Sequence, residues 1–189
     1  MRRLVYYVAT TIDGFIAAPD GGMAAFPTEG DHIEAIIAEY PETIPGHMRD
    51  QMGLDAPNRH FDTVVMGRGT YQPAVDLGVP NLYPQLRQYV VTRTMERSPH
   101  PAVELVTGDP VAKVRELKAE DGLDIWLCGG GALAGVLYPE VDELFVKINP
   151  VVFGSGTPLF GMDFQPSAFE PAGTTAYRSG VVTARYLRP

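Results

Sequence analysis

The chain has little cysteine, little positive charge and no long apolar run, and each shortage excludes something. Its single cysteine, Cys128, rules out an intrachain disulfide. The four histidines, His32, His47, His60 and His100, show no metal-ligand spacing, and one thiol cannot complete a zinc cluster, so no metal is expected. The histidines read as surface or capping residues. Such cysteine usage suits a reducing cytoplasm, the expected location. No apolar stretch approaches the ~20 residues of a membrane span, so no membrane partner is expected. The run Met1–Ala9 is short and contains Tyr6 and Tyr7. It reads as a first strand rather than a signal peptide. Basic residues number 15 against 23 acidic, a net charge of −8. Nucleic-acid binding through overall charge is excluded, because it needs a basic face. A site for a polyanionic cofactor must therefore be locally basic against an acidic background.

What is present is globular. The 189 residues are 45% hydrophobic and 20% charged, enough for one domain over 1–189 with a sizeable core. Apolar β-branched or aromatic runs predict strands at 4–9, 63–66, 89–92, 103–107 and 123–128. Helical spacing falls at 33–40, 68–75, 110–121 and 132–138. Asp109 is placed to cap the third of these helices, with Pro110 at its first position. This alternation predicts an α/β fold with a mostly parallel central sheet and helices on both faces. Beyond Asp142 the pattern changes. Strands at 143–152, 169–178 and 181–187 have no helix between them, and Ser179-Gly180 predicts a hairpin turn. They should be antiparallel and close one edge. Residues 41–61, rich in Pro, Gly, Asp and Asn, read as an irregular excursion of functional interest.

Three strand ends carry residues suited to phosphate. After the fifth strand comes Cys128-Gly129-Gly130-Gly131-Ala132-Leu133. Bare glycine backbone there lets a ligand approach closely, and the helix that follows presents free N–H groups. The other reading is a tight turn with no ligand. Gly129, Gly131 and Ala134 satisfy G-x-G-x-x-A, but a Rossmann fingerprint belongs in the first βα turn with an acidic residue about 20 positions on. From Val146 to Gly161 there is no Asp or Glu, so that fingerprint is not met. After the second strand comes Met66-Gly67-Arg68-Gly69-Thr70-Tyr71, where Arg68 can make paired bonds to a phosphate and Thr70 adds a hydroxyl. After the third come Thr92 and Arg93, with the same logic. Ligands of open α/β sheets bind at strand carboxyl ends, so the three together point to a phosphate-bearing cofactor. Gly154-Ser155-Gly156 does not form a nucleophile elbow. Cys128 reads as a small buried hydrophobe, and Trp126 as a core or subunit-contact residue.

These pieces, in order, resemble the dihydrofolate reductase-like superfamily. The branch is the one containing the riboflavin-biosynthesis reductase (RibD C-terminal) domain. The matching segments are Thr11-Ile12-Asp13-Gly14-Phe15-Ile16-Ala17, Met66 to Tyr71, Val91-Thr92-Arg93, Cys128 to Gly131, Val141-Asp142-Glu143-Leu144 and Asn149-Pro150-Val151-Val152-Phe153-Gly154. The resemblance implies NADPH as cofactor. Arg68, Thr70 and Gly129, Gly130, Gly131, Ala132 and Leu133 would hold the diphosphate, and Thr92 and Arg93 would lie near the 2′-phosphate. The loop from Ile12 to Ala17, with Ile16, would cover the nicotinamide. Asp13-Gly14 reads as a structural turn in that loop. Dihydrofolate reductase proper holds its pterin with a carboxylate on the first helix. Here Glu29, Asp31 and Glu34 are available, Asp31 at the helix start being the candidate, with a cap or solvated face as the other reading. The expected activity is hydride transfer from NADPH to a small heterocyclic (pterin- or pyrimidine-like) or carbonyl substrate. The alternatives are a non-catalytic nucleotide-binding protein on the same fold and a riboflavin-pathway reductase acting on a ribosylamino-pyrimidine phosphate. The branch also implies a homodimer, and the C-terminal strands leave a sheet edge for pairing.

Overall fold

Valine, isoleucine and aromatic side chains suit a pleated, half-buried surface, and the runs rich in them form the strands. The computed structural model describes residues 1–189. Its elements are β1 (Leu4–Thr11), β2 (Phe15–Ala17), α1 (Asp31–Glu39), α2 (Gly46–Met52), β3 (Phe61–Gly67), α3 (Arg68–Asp76), β4 (Arg87–Val91) and β5 (Val103–Val106). There follow α4 (Pro110–Ala119), β6 (Asp124–Gly129), α5 (Gly131–Leu137), β7 (Val141–Asn149), β8 (Thr157–Pro158), β9 (Glu170–Ala176) and β10 (Val182–Leu187). Eight strands make one sheet in the order β5-β4-β3-β6-β1-β7-β10-β9. The first six in that order are parallel, and β10 joins antiparallel to both β7 and β9. The expected architecture, including its antiparallel edge, is present.

Period-two alternation divides the core. Leu4, Tyr6 and Val8 of β1 face one cluster, with Leu117 of α4 and Leu133, Ala134 and Leu137 of α5. Val5 and Tyr7 face the other, with Tyr71 and Ala74 of α3. The helices that follow β3 and β6 therefore leave neighbouring strands for opposite faces. The carboxyl ends of strands related in this way are where open α/β sheets bind ligands. Asp109 caps α4 as expected, its Oδ1 accepting the Val111 N–H at 2.9 Å. Trp126 is a core residue, its indole N–H donating to the Tyr7 carbonyl at 2.9 Å.

Three departures from the sequence expectations have physical causes. The 41–61 excursion is not irregular throughout: it holds a 3-10 turn at Pro41–Thr43 and the helix α2. The α2 sequence, Gly-His-Met-Arg-Asp-Gln-Met, has no apolar period to reveal it, and it closes on Gly53 in the left-handed region (φ 61°). The strand expected over 143–152 ends at Asn149, because Pro150 cannot donate to the ladder. β2 and β8 pair as a two-stranded ribbon too short to show a periodicity. No helix is long and apolar enough to cross a membrane.

Candidate functional site

The three phosphate-type strand ends are neighbours, because β4, β3 and β6 run side by side and parallel. Met66 of β3 lies beside Gly129 of β6 in the ladder. One residue on, a Cβ built at Gly67 would stand 3.6 Å from the Gly130 nitrogen. The Thr70 hydroxyl lies against the same turn, 3.8 and 3.4 Å from Cβ positions built on Gly129 and Gly130, and nothing else comes within 4 Å of either. This backbone is therefore open to a ligand except where Thr70 faces it. The Gly129–Gly130 peptide is cis, and Gly129 has φ 129°, which glycine alone adopts readily. Arg68 is exposed at the start of α3, and its Nη1 donates to Thr94 Oγ1 at 2.7 Å, joining the β3 end to the loop after β4.

Electrostatics mark the same place. Six of the fifteen basic residues have no carboxylate within ion-pair distance, and three of them follow β3 or β4: Arg68 directly after β3, and Arg93 and Arg97 in the segment after β4. All three are exposed. In a chain of net charge −8 this is the local basicity that a polyanionic ligand requires. Arg97 carries no motif, so the sequence reading did not single it out.

Other expected contacts need correction. The Thr92 side chain is buried, and its Oγ1 accepts the N–H groups of Thr94 (3.2 Å) and Met95 (3.0 Å), so it shapes the loop. Leu133 and Ile16 turn their side chains into one core cluster, leaving only backbone for a ligand. Gly131 is a packing glycine: an added Cβ would land on the Pro158 carbonyl oxygen. Its N–H, with those of Ala132 and Leu133, precedes the first intrahelical bond of α5, from Ala134 N–H to Gly130 O at 2.9 Å. The β1–β2 loop is held beside this helix start. Leu159 N–H donates to Gly14 O, and Gly161 N–H to Gly131 O, each at 2.9 Å. Asp13 ties the loop down, accepting from Thr11 Oγ1 (2.6 Å) and from the N–H groups of Phe153 (3.1 Å) and Gly154 (2.7 Å).

Asp31 does not stand as a free acid. Its carboxylate accepts the N–H groups of Arg178 (2.8 Å) and Ser179 (3.1 Å), clamping the β9–β10 turn. Those bonds, the Arg178 N–H first among them, hold its pKa at about 2. Glu29 and Glu34 are exposed. His32 is the opposite of a surface residue: it is 3% exposed, and neither ring nitrogen has a partner. Cys128 is half-buried, and burial pushes its thiol up to about 12. Lys147, which sequence reasoning passed over, sits in β7 on the α3 side of the sheet, and burial lowers its pKa to about 8. Its signal was a lone charge inside Leu144-Phe145-Val146-Lys147-Ile148.

The family model described as the RibD C-terminal domain matches residues 2–183. The chain belongs to that family. A relative within reach of this RibD C-terminal chain is the uncharacterized protein YwjB of Bacillus subtilis (strain 168). It is 30% identical over 164 residues, covering 84% of this chain and 83% of the relative. The uncharacterized protein YyaP of the same organism is 27% identical over 198 residues, covering 98% and 94%. Among solved structures, a putative riboflavin biosynthesis protein from Shewanella sp. PV-4 superposes with a TM-score of 0.71 at 23% identity, covering 100% and 99%. Dihydrofolate reductase from Enterococcus faecalis, complexed with NADP(H) and RAB-propyl, gives 0.66 at 16% identity, covering 98% and 96%. At these identities the structures bear on the fold, which is that of dihydrofolate reductase.

Proposed function

We propose that this RibD C-terminal domain is an NADPH-dependent reductase acting on a small heterocyclic, pterin- or pyrimidine-like, or carbonyl substrate. The observation that carries the reading is the open Gly129–Gly130 backbone at the end of β6, faced only by Thr70, together with unpaired, exposed arginines after the two neighbouring strands, Arg68 after β3 and Arg93 and Arg97 after β4. The residues fit the cofactor. Arg68 and the Gly129–Gly130 turn would hold the diphosphate, and Arg93 would meet the 2′-phosphate. Thr92 supports that contact through the loop. NADPH, when bound, supplies the hydride, and the chain supplies binding, orientation and exclusion of water. The family, and a fold neighbour from Thermotoga maritima named as a deaminase/5-amino-6-(5-phosphoribosylamino)uracil reductase (TM-score 0.65, 17% identity, covering 57% of that chain), favour the pyrimidine side of the substrate range.

Titration of the protein with NADPH and NADH by nicotinamide fluorescence tests the reading. A charge-assisted bond from Arg93 is worth roughly 1.5–3 kcal/mol, so NADPH should bind about tenfold to a hundredfold more tightly. Equal affinities would remove Arg93 from this role, and absence of binding by either would overturn the reductase reading. The protein is further proposed to work as a homodimer in the cytoplasm, pairing at the sheet edge that β9 leaves exposed along its whole length.

A further inference from the structure

We propose that Lys147 is the substrate-facing cation of this site, receiving an acceptor oxygen or nitrogen of the substrate and passing it a proton. The inference rests on the reductase reading and adds the proton donor which that reading lacks. Lys147 Nζ stands 4.0 Å from the centre of the Tyr7 ring. It takes part in none of the ion pairs of the molecule. Its neighbours in the ladders are Ala9 of β1 and Thr183 of β10. Ala9 is short, so β1 does not fill the sheet surface beside the ammonium. The ring stabilises the half-buried ammonium, but no carboxylate or carbonyl of the chain accepts its N–H groups, so those donors remain available to an acceptor from outside.

The candidate carboxylates are committed. Asp13 and Asp31 bind backbone N–H groups, as described. Glu42, fully buried, accepts from the N–H groups of Arg59 (3.3 Å), His60 (2.8 Å) and Phe61 (2.9 Å). Glu143 is paired with Arg3 (2.9 Å) and Arg185 (2.7 Å). The other titratable and charged groups around this face include Tyr7, Tyr40, Tyr83, Cys128, Tyr177, Arg185, and His60 with Glu39 beside Tyr40. Burial raises the protonation of Tyr7, Tyr40, Tyr83 and Cys128 well out of the neutral range. Lys147 moves the other way, to about 8, so at neutral pH it carries a proton it can give up. His32, buried and unpartnered against Tyr177, is the rival donor.

The step balances. When the C=O or C=N carbon takes a hydride, which NADPH would supply in becoming NADP+, a C–H bond forms and the π pair moves to the heteroatom. One N–H bond of the Lys147 ammonium breaks, its proton joins that heteroatom, and the neutral amine regains a proton from water.

The chain has three lysines, Lys113, Lys118 and Lys147, which makes the test direct. The full chain is dimethylated with 13C-formaldehyde and titrated by NMR, and Lys147→Arg assigns the signal. Benzoate, with and without NADPH, is the acceptor probe. The Lys147 signal is expected to titrate near pH 8, against 10.5 for an ordinary lysine, and its midpoint should rise when benzoate binds. Lys147→Met should weaken benzoate about tenfold and leave NADPH affinity within about twofold. An ordinary lysine midpoint, or one indifferent to benzoate, overturns the proposal even where NADPH binds normally. So does loss of benzoate binding in His32→Gln together with its retention in Lys147→Met. Failure of the wild type to bind NADPH removes the reductase reading instead, and the wild-type lysine titration needs no variant to fold.

Discussion

Arg68 donates from Nη1 to Oγ1 of Thr94 at 2.7 Å, so the side chain that opens α3 is already held by the loop after β4. The bond joins two of the three strand ends. It also holds an exposed guanidinium, free of any carboxylate, beside the loop after β4 rather than leaving it to solvent at random. Preorganisation of this kind lowers the ordering cost when an anion binds.

Arg68→Ala should therefore weaken NADPH binding by roughly tenfold to a hundredfold, the worth of a charge-assisted bond. The melting temperature should hardly move, because the side chain is exposed and surface substitutions cost little. Fluorescence titration and thermal melts on one preparation check both halves. Unchanged affinity would place Arg68 outside the site, and lost stability with unchanged affinity would make it a structural tether.

Adjacent glycines should behave differently. Gly130 has φ −88°, and a Cβ there meets only the Thr70 hydroxyl, at 3.4 Å. Gly130→Val should fold yet abolish NADPH binding, because its branches occupy the space over the turn. Gly131→Ala pushes a methyl group onto the Pro158 carbonyl and should cost about 1–3 kcal/mol of stability, the range for overpacking. Urea unfolding and cofactor titration on the pair separate the roles. A Gly130→Val protein that binds NADPH with native affinity would contradict the site.

Asp31 predicts an acid-range dependence. Its folded pKa, about 2, lies below the ordinary value of 3.8, so its contribution is complete above about pH 4 and disappears as pH falls through 2. Asp31→Ala should melt below the wild type at neutral pH, with the difference shrinking across that window, while NADPH affinity stays the same. Melts from pH 2 to 7 give the curve. A difference independent of pH would show that the carboxylate clamp on Arg178 and Ser179 contributes nothing.

Exposure of every residue of β9 predicts self-association. Light scattering after size exclusion should give twice the chain mass of 20.6 kDa at micromolar concentration. A mass near 20.6 kDa would mean that Pro171, which cannot donate to a ladder, is enough to blunt the edge.

The alternation of apolar runs with helical spacing determined the parallel sheet, its two-sided cover and its antiparallel end, because burial of each face imposes a period that the sequence must carry. The phosphate-type strand ends were legible for a related reason. A turn with bare backbone or a positive φ needs glycine, and β3 and β6 each end in one. Local sequence could not decide which of the residues beside those turns are free. Thr92 and Gly131 look like ligands in the linear chain. Only the packed structure commits the Thr92 hydroxyl to its own loop and the face of Gly131 to Pro158. Asp31 was read at a helix start, but its partners, Arg178 and Ser179, lie more than a hundred positions away. Lys147 and His32 show the same limit most plainly. A lone charge in a strand or a histidine in a helix has no meaning until the fold determines what surrounds it. Burial and the absence of partners are properties of surfaces assembled from distant segments, and the tertiary structure alone decides them.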